Sequence, residues 1–185
     1  MVNDIMSETR QAMQKSLEAL NNEMGTVRTG RASAHLLDQI RVDYYGSQVP
    51  INQVATVGIP EPRLIAIQPW DKSAIPLVEK AIQESSLGLN PSNDGTVIRL
   101  PIPALTEERR QELVKVVRQY AEESRVSVRN ARRDANEMIK DAQKEGEIPE
   151  DDAKRGTEQV QSLTDEFVAT IDGVLKAKEE EIMEV

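Results

Sequence analysis

Apolar residues recur at helical spacing near the start of the chain. They are three or four positions apart, which places them on one face of an α-helix: Met6, Thr9, Met13, Leu17, Leu20, Met24 and Val27. Asn3 or Asp4 can cap the start of this helix, and Gly30 can end it. The pattern predicts a first long helix from about Asn3 to near Thr29.

The longest stripe lies in the second half of the chain. Its spacing is again three or four, through Leu113, Val117, Tyr120, Ser124, Val128, Ala131, Ala135, Met138 and Ala142. Thr106 followed by two glutamates is typical of a helix N-terminus, and Gly146 can end the helix. A helix from Thr106 to Glu145 would be about 60 Å long.

A third stripe fills the C-terminal end of the chain, through Val160, Leu163, Phe167, Ile171, Val174, Lys178 and Ile182. Pro149 suits its start, with Glu150, Asp151 and Asp152 at the positive end of the helix dipole. Single-striped helices must pack on one another, and the short connection at residues 146–149 favours an antiparallel pair. The three stripes therefore predict a three-helix bundle.

Proline separates the first stripe from the other two. Eight of the nine prolines lie between residues 50 and 103, which excludes one continuous helix there. The segment predicts an α/β insert: a type II′ hairpin at Gly46-Ser47, strands at Val54–Ile59, Arg63–Gln68 and Thr96–Leu100, an Asp71 cap and a helix at Ile75–Ser86. Residues 1–29 with 105–185 are predicted to form the bundle, and residues 30–104 the inserted domain.

Two chain crossings join the predicted domains. One glycine and a nearby proline lie at these crossings, and such a two-stranded junction indicates a hinge. The predicted hinge residues are Thr29, Gly30, Pro103, Ala104 and Leu105.

Composition narrows the function classes. The chain has 185 residues, net charge −9, 3% aromatic residues and no cysteine. Its only histidine, His35, has no partner ligands for a metal, and no nucleophile–base pair or phosphate-binding glycine loop occurs. We expect no cofactor, no metal and no enzymatic activity. The first residues lack a signal-peptide pattern and no membrane-length apolar run occurs, so a cytoplasmic protein is predicted.

Within this acidic chain, the stretch RVSVRNARRDANEMIK at 125–140 is basic. Arg125, Arg129, Arg132 and Arg133 lie within about 100° on the outer face of the second helix. Arg125 has Glu122, and Arg133 has Glu137, at positions where side chains meet on one helix. Arg129 and Arg132 have no acid three or four positions away.

Two interpretations of this cluster are open. Residues 145–185 hold 13 acids against 4 bases, so acids of the third helix could pair with the arginines and form a solvated ion-pair surface. Alternatively, the arginines form a phosphate-binding ridge that contacts a nucleic-acid backbone, since guanidinium groups bond phosphate oxygens bidentately.

Several stretches carry a specific resemblance. RTGRAS (28–33), VDYYG (42–46), VEKAI (78–82), LGLNP (87–91), IRLPIPALTEERR (98–110) and VRNARRDAN (128–136) resemble signature segments of the ribosome recycling factor family. The resemblance implies an α+β fold, in which an elongated three-helix bundle with an inserted small β/α/β domain gives an L-shaped, tRNA-like outline. It also implies a monomer that, with elongation factor G and GTP, splits the post-termination ribosome into subunits after peptide release.

The resemblance also implies a site. It places large-subunit ribosomal RNA near the peptidyl site against Arg132 first, then Arg129 and Arg133, with Arg125 on the same ridge. Arg28 and Arg31 in RTGRAS form a second basic motif.

Two alternatives come from other functional classes. A structural helical protein that dimerises through its stripes would sediment as a dimer, whereas a recycling factor would be a monomer. An accessory tRNA-binding arm would bind free tRNA, whereas a recycling factor would prefer ribosomes.

Overall fold

Three long helices and a small α/β unit make up the structure, a computed structural model that describes residues 1–184. The chain divides into two compact units. One contains Met1–Thr29 and the chain from Thr106 onward, and the other contains Gly30–Leu105. None of the described helices is long and apolar enough to cross a membrane.

The helical unit consists of α1 (Val2–Thr26), α3 (Glu107–Lys144) and α4 (Glu150–Met183). Each helix buries one stripe against the other two. The predicted α3 stripe is wrong at two positions, because Ala121 and Ile139 are buried while Tyr120 is only partly covered and Met138 is 39% exposed. Integer spacing drifts from the 3.6-residue turn, so the neighbouring apolar residue takes the inward position.

The ends of α1 differ from the prediction. The helix begins at Val2, its cap residue Met1 makes no side-chain cap bond, and neither Asn3 nor Asp4 is the cap. It ends at Thr26 rather than near Thr29, because Val27 adopts an extended backbone that keeps its apolar side chain buried. Gly30 is therefore not the helix stop, although its φ of +78° is left-handed.

Both predicted ends of α3 are confirmed. The Thr106 hydroxyl accepts a hydrogen bond from the Arg109 amide at 3.1 Å, as an N-cap does. At the other end Gly146 has φ +77°; its amide donates to the Gln143 carbonyl, and the Glu147 amide donates to the Ala142 carbonyl. These two hydrogen bonds form a Schellman motif. Helix α4 begins four residues after Gly146, and Pro149 is its N-cap residue.

The small unit begins with a hairpin of β1 (Arg41–Tyr44) and β2 (Ser47–Pro50). The predicted turn is wrong by one residue, because Tyr44 pairs with Ser47 and the two turn residues are Tyr45 and Gly46. Their φ values, 48° and 79°, are both positive, which corresponds to type I′ rather than type II′. Types I′ and II′ both match the twist of the two strands; the pairing of Tyr44 with Ser47 puts Gly46 at the second turn position, where type I′ needs a positive φ.

The larger sheet of this unit is four-stranded and antiparallel, in the order β3-β4-β6-β5. Its strands are β3 (Ala55–Glu61), β4 (Leu64–Pro69), β5 (Ser92–Asn93) and β6 (Ile98–Pro101). The sequence did not predict β5. It also placed the start of the last strand two residues early, because the Asp94 carboxylate binds the Thr96 and Val97 amides and extends the turn.

Helix α2 (Ile75–Glu84) closes the core of this unit, and it ends two residues before the predicted Ser86. Asp71 is a cap as predicted; its carboxylate accepts the Ser73 amide at 3.0 Å, at a short 3-10 turn leading into α2. Trp70 lies just before this turn. Its indole N–H donates to the Thr56 hydroxyl at 2.9 Å, yet the side chain remains 66% exposed.

Candidate nucleic-acid interface

The predicted arginine ridge lies along the outer face of α3, and we use that name for Arg125, Arg129, Arg132 and Arg133. Arg118, about two turns before it, points to the same side of the helix. The span from Arg118 to Arg133 is about 22 Å at 1.5 Å per residue. The pairing of these arginines changes along that length.

At the end nearer the start of α3, acids from α4 hold the arginines. The Arg118 Nε lies 2.8 Å from the Glu179 carboxylate, and this hydrogen bond raises the pKa of Arg118. The Arg125 Nη2 lies 2.7 Å from Asp172, and its Nη1 lies 3.1 Å from Glu122. Partial burial acts to lower the pKa of Arg125, but the hydrogen bonds to both carboxylates outweigh it and raise that pKa. These residues follow the ion-pair interpretation.

The sequence-based expectation that Arg129 has no acidic partner on its own helix is wrong. Its Nη1 lies 3.4 Å from Glu122, an acid seven positions earlier on the same helix. Two turns separate them, and both side chains are long enough to span that distance, so a search at three and four positions missed the pair. One carboxylate therefore contacts both Arg125 and Arg129.

Arg132 and Arg133 lie beyond the reach of these acids. Within residues 1–184 neither makes an ion pair, and the predicted contact of Arg133 with Glu137 is not formed. The two arginines line a shallow open depression of about 420 Å³, together with Asn136, Glu137, Lys140 and Gln161. Three cations and one acid make this depression basic.

The depression includes residues that the sequence did not single out. Lys140 lies two turns beyond Arg133 on the same face, so the charge pattern could have found it. Gln161 comes from α4 and carries no sequence signal for this position. Asn136 has a buried Oδ1 with no hydrogen-bond partner among the described residues.

The second basic motif follows the end of α1. Arg28 and Arg31 are both exposed, and Arg31 is not without a partner. Thr29, between them, donates from its hydroxyl to the Glu181 carboxylate at 2.9 Å within the helical unit.

In the small unit, Gly30 packs closely against the returning chain. A Cβ on Gly30 would lie 3.4 Å from the Leu105 Cγ and 3.5 Å from the Pro103 carbonyl. Ala104, the remaining predicted hinge residue, is exposed.

His35 is a surface residue. Its side chain is 90% exposed, with Nδ1 3.0 Å from Asp38. No group of acids, histidines and cysteines able to hold a metal occurs among residues 1–184.

Comparison with known proteins places this ridge in context. The family model described as ribosome recycling factor matches residues 20–183. The chain belongs to the ribosome recycling factor family. Among recycling factors, that of Carboxydothermus hydrogenoformans is 57% identical over 185 residues, and that of Bacillus subtilis is 53% identical over 185 residues; each match covers both chains completely.

Solved structures of recycling factors share the fold. A solution structure of the ribosome recycling factor has a TM-score of 0.71 and 48% identity, and the match covers 100% of this chain and 98% of that one. A structure of the Thermus thermophilus recycling factor, with Escherichia coli elongation factor G on the Escherichia coli post-termination complex, has a TM-score of 0.62 and 49% identity with complete coverage of both chains. The predicted α+β class and the predicted family are confirmed, and membership in a family of translation factors agrees with the expectation of no enzymatic activity.

Proposed function

We propose that this chain recycles ribosomes: with elongation factor G and GTP, it splits the post-termination ribosome into subunits after peptide release. Its support is membership in the recycling factor family, together with a 49% identical relative that is bound with elongation factor G to the post-termination complex. The factor would act as a monomer in the cytoplasm, where ribosomes are, with neither a membrane nor a cofactor. The structural-bundle and tRNA-arm alternatives have no comparable support.

The docking site we propose is the open end of the arginine ridge, against large-subunit ribosomal RNA near the peptidyl site. The observation that carries it is the lack of any ion pair at Arg132 and Arg133 within the described chain, although the protein has net charge −9. Unpaired guanidinium groups on one helix face attract phosphates, and the acidic remainder of the protein orients the approach. Arg129 extends the site, Arg125 lies at the paired end of the ridge, and Arg28 and Arg31 form the second part of the site.

Arg132→Gln tests the docking site. We expect weaker binding to purified large ribosomal subunits and a plot of log K against log salt that is shallower by about one unit, since one phosphate contact is lost. Arg109→Gln is the matched control: it removes the same charge from α3, but on the opposite face, where Arg109 pairs with Glu112 at 2.9 Å. Equal binding by the two variants, with unchanged thermal midpoints, would refute the ridge.

The hinge is the second part of the proposal. Thr29, Gly30, Pro103, Ala104 and Leu105 would let elongation factor G move the small unit while the helical unit stays docked. The left-handed φ of Gly30 is a backbone state that few other residues adopt. Because the chain has no cysteine, engineered disulfides with one cysteine in each unit can test this without background.

At least two such disulfides, trapping different angles, should be compared. We expect oxidised forms to bind large subunits yet fail to split ribosomes, and reduction to restore splitting. If every oxidised form splits ribosomes at the reduced rate, motion at these five residues is not part of the mechanism.

A further inference from the structure

The carboxylate of Glu122 holds two arginines of the ridge at once. Its Oε2 lies 3.1 Å from the Arg125 Nη1, and its Oε1 lies 3.4 Å from the Arg129 Nη1. No other acid of the described chain contacts Arg129. Any ligand that binds the Arg129 guanidinium must therefore compete with Glu122 alone among these acids.

The two arginines differ in how firmly they are held. The Arg125 side chain is 18% exposed and has a second acid, Asp172, at 2.7 Å. The Arg129 side chain is 43% exposed and its single partner is half exposed. Exposed pairs of this kind are weak, so a phosphate can take Arg129 from Glu122, whereas Arg125 stays paired.

Arg129 also borders the open end of the ridge. Arg132 and Arg133 are one turn further along α3, and neither guanidinium group forms an ion pair within residues 1–184. A nucleic-acid backbone docked on these two arginines brings its next phosphates close to Arg129. The phosphate and Glu122 then compete for one guanidinium group.

We propose that Glu122 is an affinity-setting residue: an internal competitor for Arg129 that limits how tightly the ridge holds ribosomal RNA, and so favours release of the factor after each round. The proposal rests on the docking site proposed above. A factor that acts repeatedly must leave its site, and interface changes act mostly on dissociation rates. The acid thus trades binding strength for turnover.

Glu122→Gln removes the charge while keeping the shape of the side chain. We expect the variant to bind purified large ribosomal subunits about two- to fivefold more tightly, mainly through slower dissociation, a small factor because exposed ion pairs are weak. Glu123→Gln is the matched control. It removes the same charge one residue away, about 100° around the helix, where Glu123 contacts Gln119 at 3.1 Å and no arginine.

The tighter binding expected of E122Q must also depend on Arg129. The double variant E122Q/R129Q should bind like R129Q alone, because the competitor no longer has an arginine to occupy. If E122Q binds no more tightly than the native protein, or if E123Q gains as much, or if the gain persists without Arg129, the inference is wrong. Weaker binding by E122Q would instead make Glu122 a residue that positions Arg129, which also overturns the proposal.

Arg132→Gln separates this inference from the proposed function. If R132Q leaves binding unchanged, the docking site itself fails. If R132Q weakens binding while E122Q gains nothing, the docking site stands and the role of Glu122 alone is refuted. Thermal midpoints of all variants show whether any has lost its fold.

Discussion

Two glycines of the helical unit should respond in opposite directions to the same substitution. Gly173 lies inside α4 with no atom within 4 Å of the position a Cβ would take. Alanine there should stabilise the helix by about 0.8–1 kcal/mol, the difference in helix propensity. Gly146 has equal space around it, but its φ is +77°.

At Gly146 the backbone conformation decides the sign. An alanine in the left-handed region costs about 1–2 kcal/mol, and reduced freedom of the unfolded chain returns about 0.4–1 kcal/mol. The net loss is about 1 kcal/mol. The two alanine variants should therefore differ by roughly 2 kcal/mol, although neither creates a steric contact.

Circular dichroism during thermal or urea unfolding measures this difference, because α3 and α4 dominate the helical signal. For a chain of this length we expect midpoints about 4–8 °C apart, with G173A above and G146A below the native protein. Gly146→Asn is the control, since asparagine tolerates the left-handed region better and should lose less. If both alanine variants shift in the same direction, the Schellman end of α3 does not determine the effect.

Two further predictions concern stability. Hydrogen bonds from the Val97 amide, the Arg99 guanidinium and the Thr96 amide hold the pKa of Asp94 well below its usual range. The ionised carboxylate therefore stabilises the folded protein fully above about pH 4, and this contribution is lost as the pH falls towards the folded-state pKa. The unfolding midpoint of the native protein should therefore exceed that of Asp94→Asn at about pH 7, and the difference should be smaller at about pH 3; a difference independent of pH would contradict this. Ile139→Ala should destabilise the helical unit by about 2–5 kcal/mol, because Ile139 is 1% exposed in the core of that unit. Urea unfolding measures this loss, and a value under about 1 kcal/mol would show that the site collapses without leaving a cavity.

The sequence predicted element types better than element ends. Stripes of apolar residues mark α1, α3 and α4, because an amphipathic helix must bury one face whatever it packs against. The end of α1 depends on Val27, whose burial favours an extended backbone over three more helical residues. Tertiary burial of that kind cannot be derived from local pattern, and the same holds for the short strand β5.

Side-chain pairing in the candidate site was predictable only in part. The sequence showed which arginines share a face and that Arg132 lacks a nearby acid. It did not show that Asp172 and Glu179 of α4 lie opposite Arg125 and Arg118, because the register of two packed helices is a three-dimensional quantity. The division of the cluster into held and open arginines follows from that register.

The single tryptophan gives the protein a built-in optical reporter of one unit. Trp70 belongs to the small α/β unit and is largely open to solvent, while the helical unit contains no indole at all. Intrinsic emission excited at tryptophan wavelengths therefore comes from the small unit alone. In rapid mixing with ribosomal RNA, which contains no indole, docking through the arginine ridge should leave this emission unchanged. Contact of the RNA with the small unit should change it, so the two contacts can be distinguished without attaching a dye.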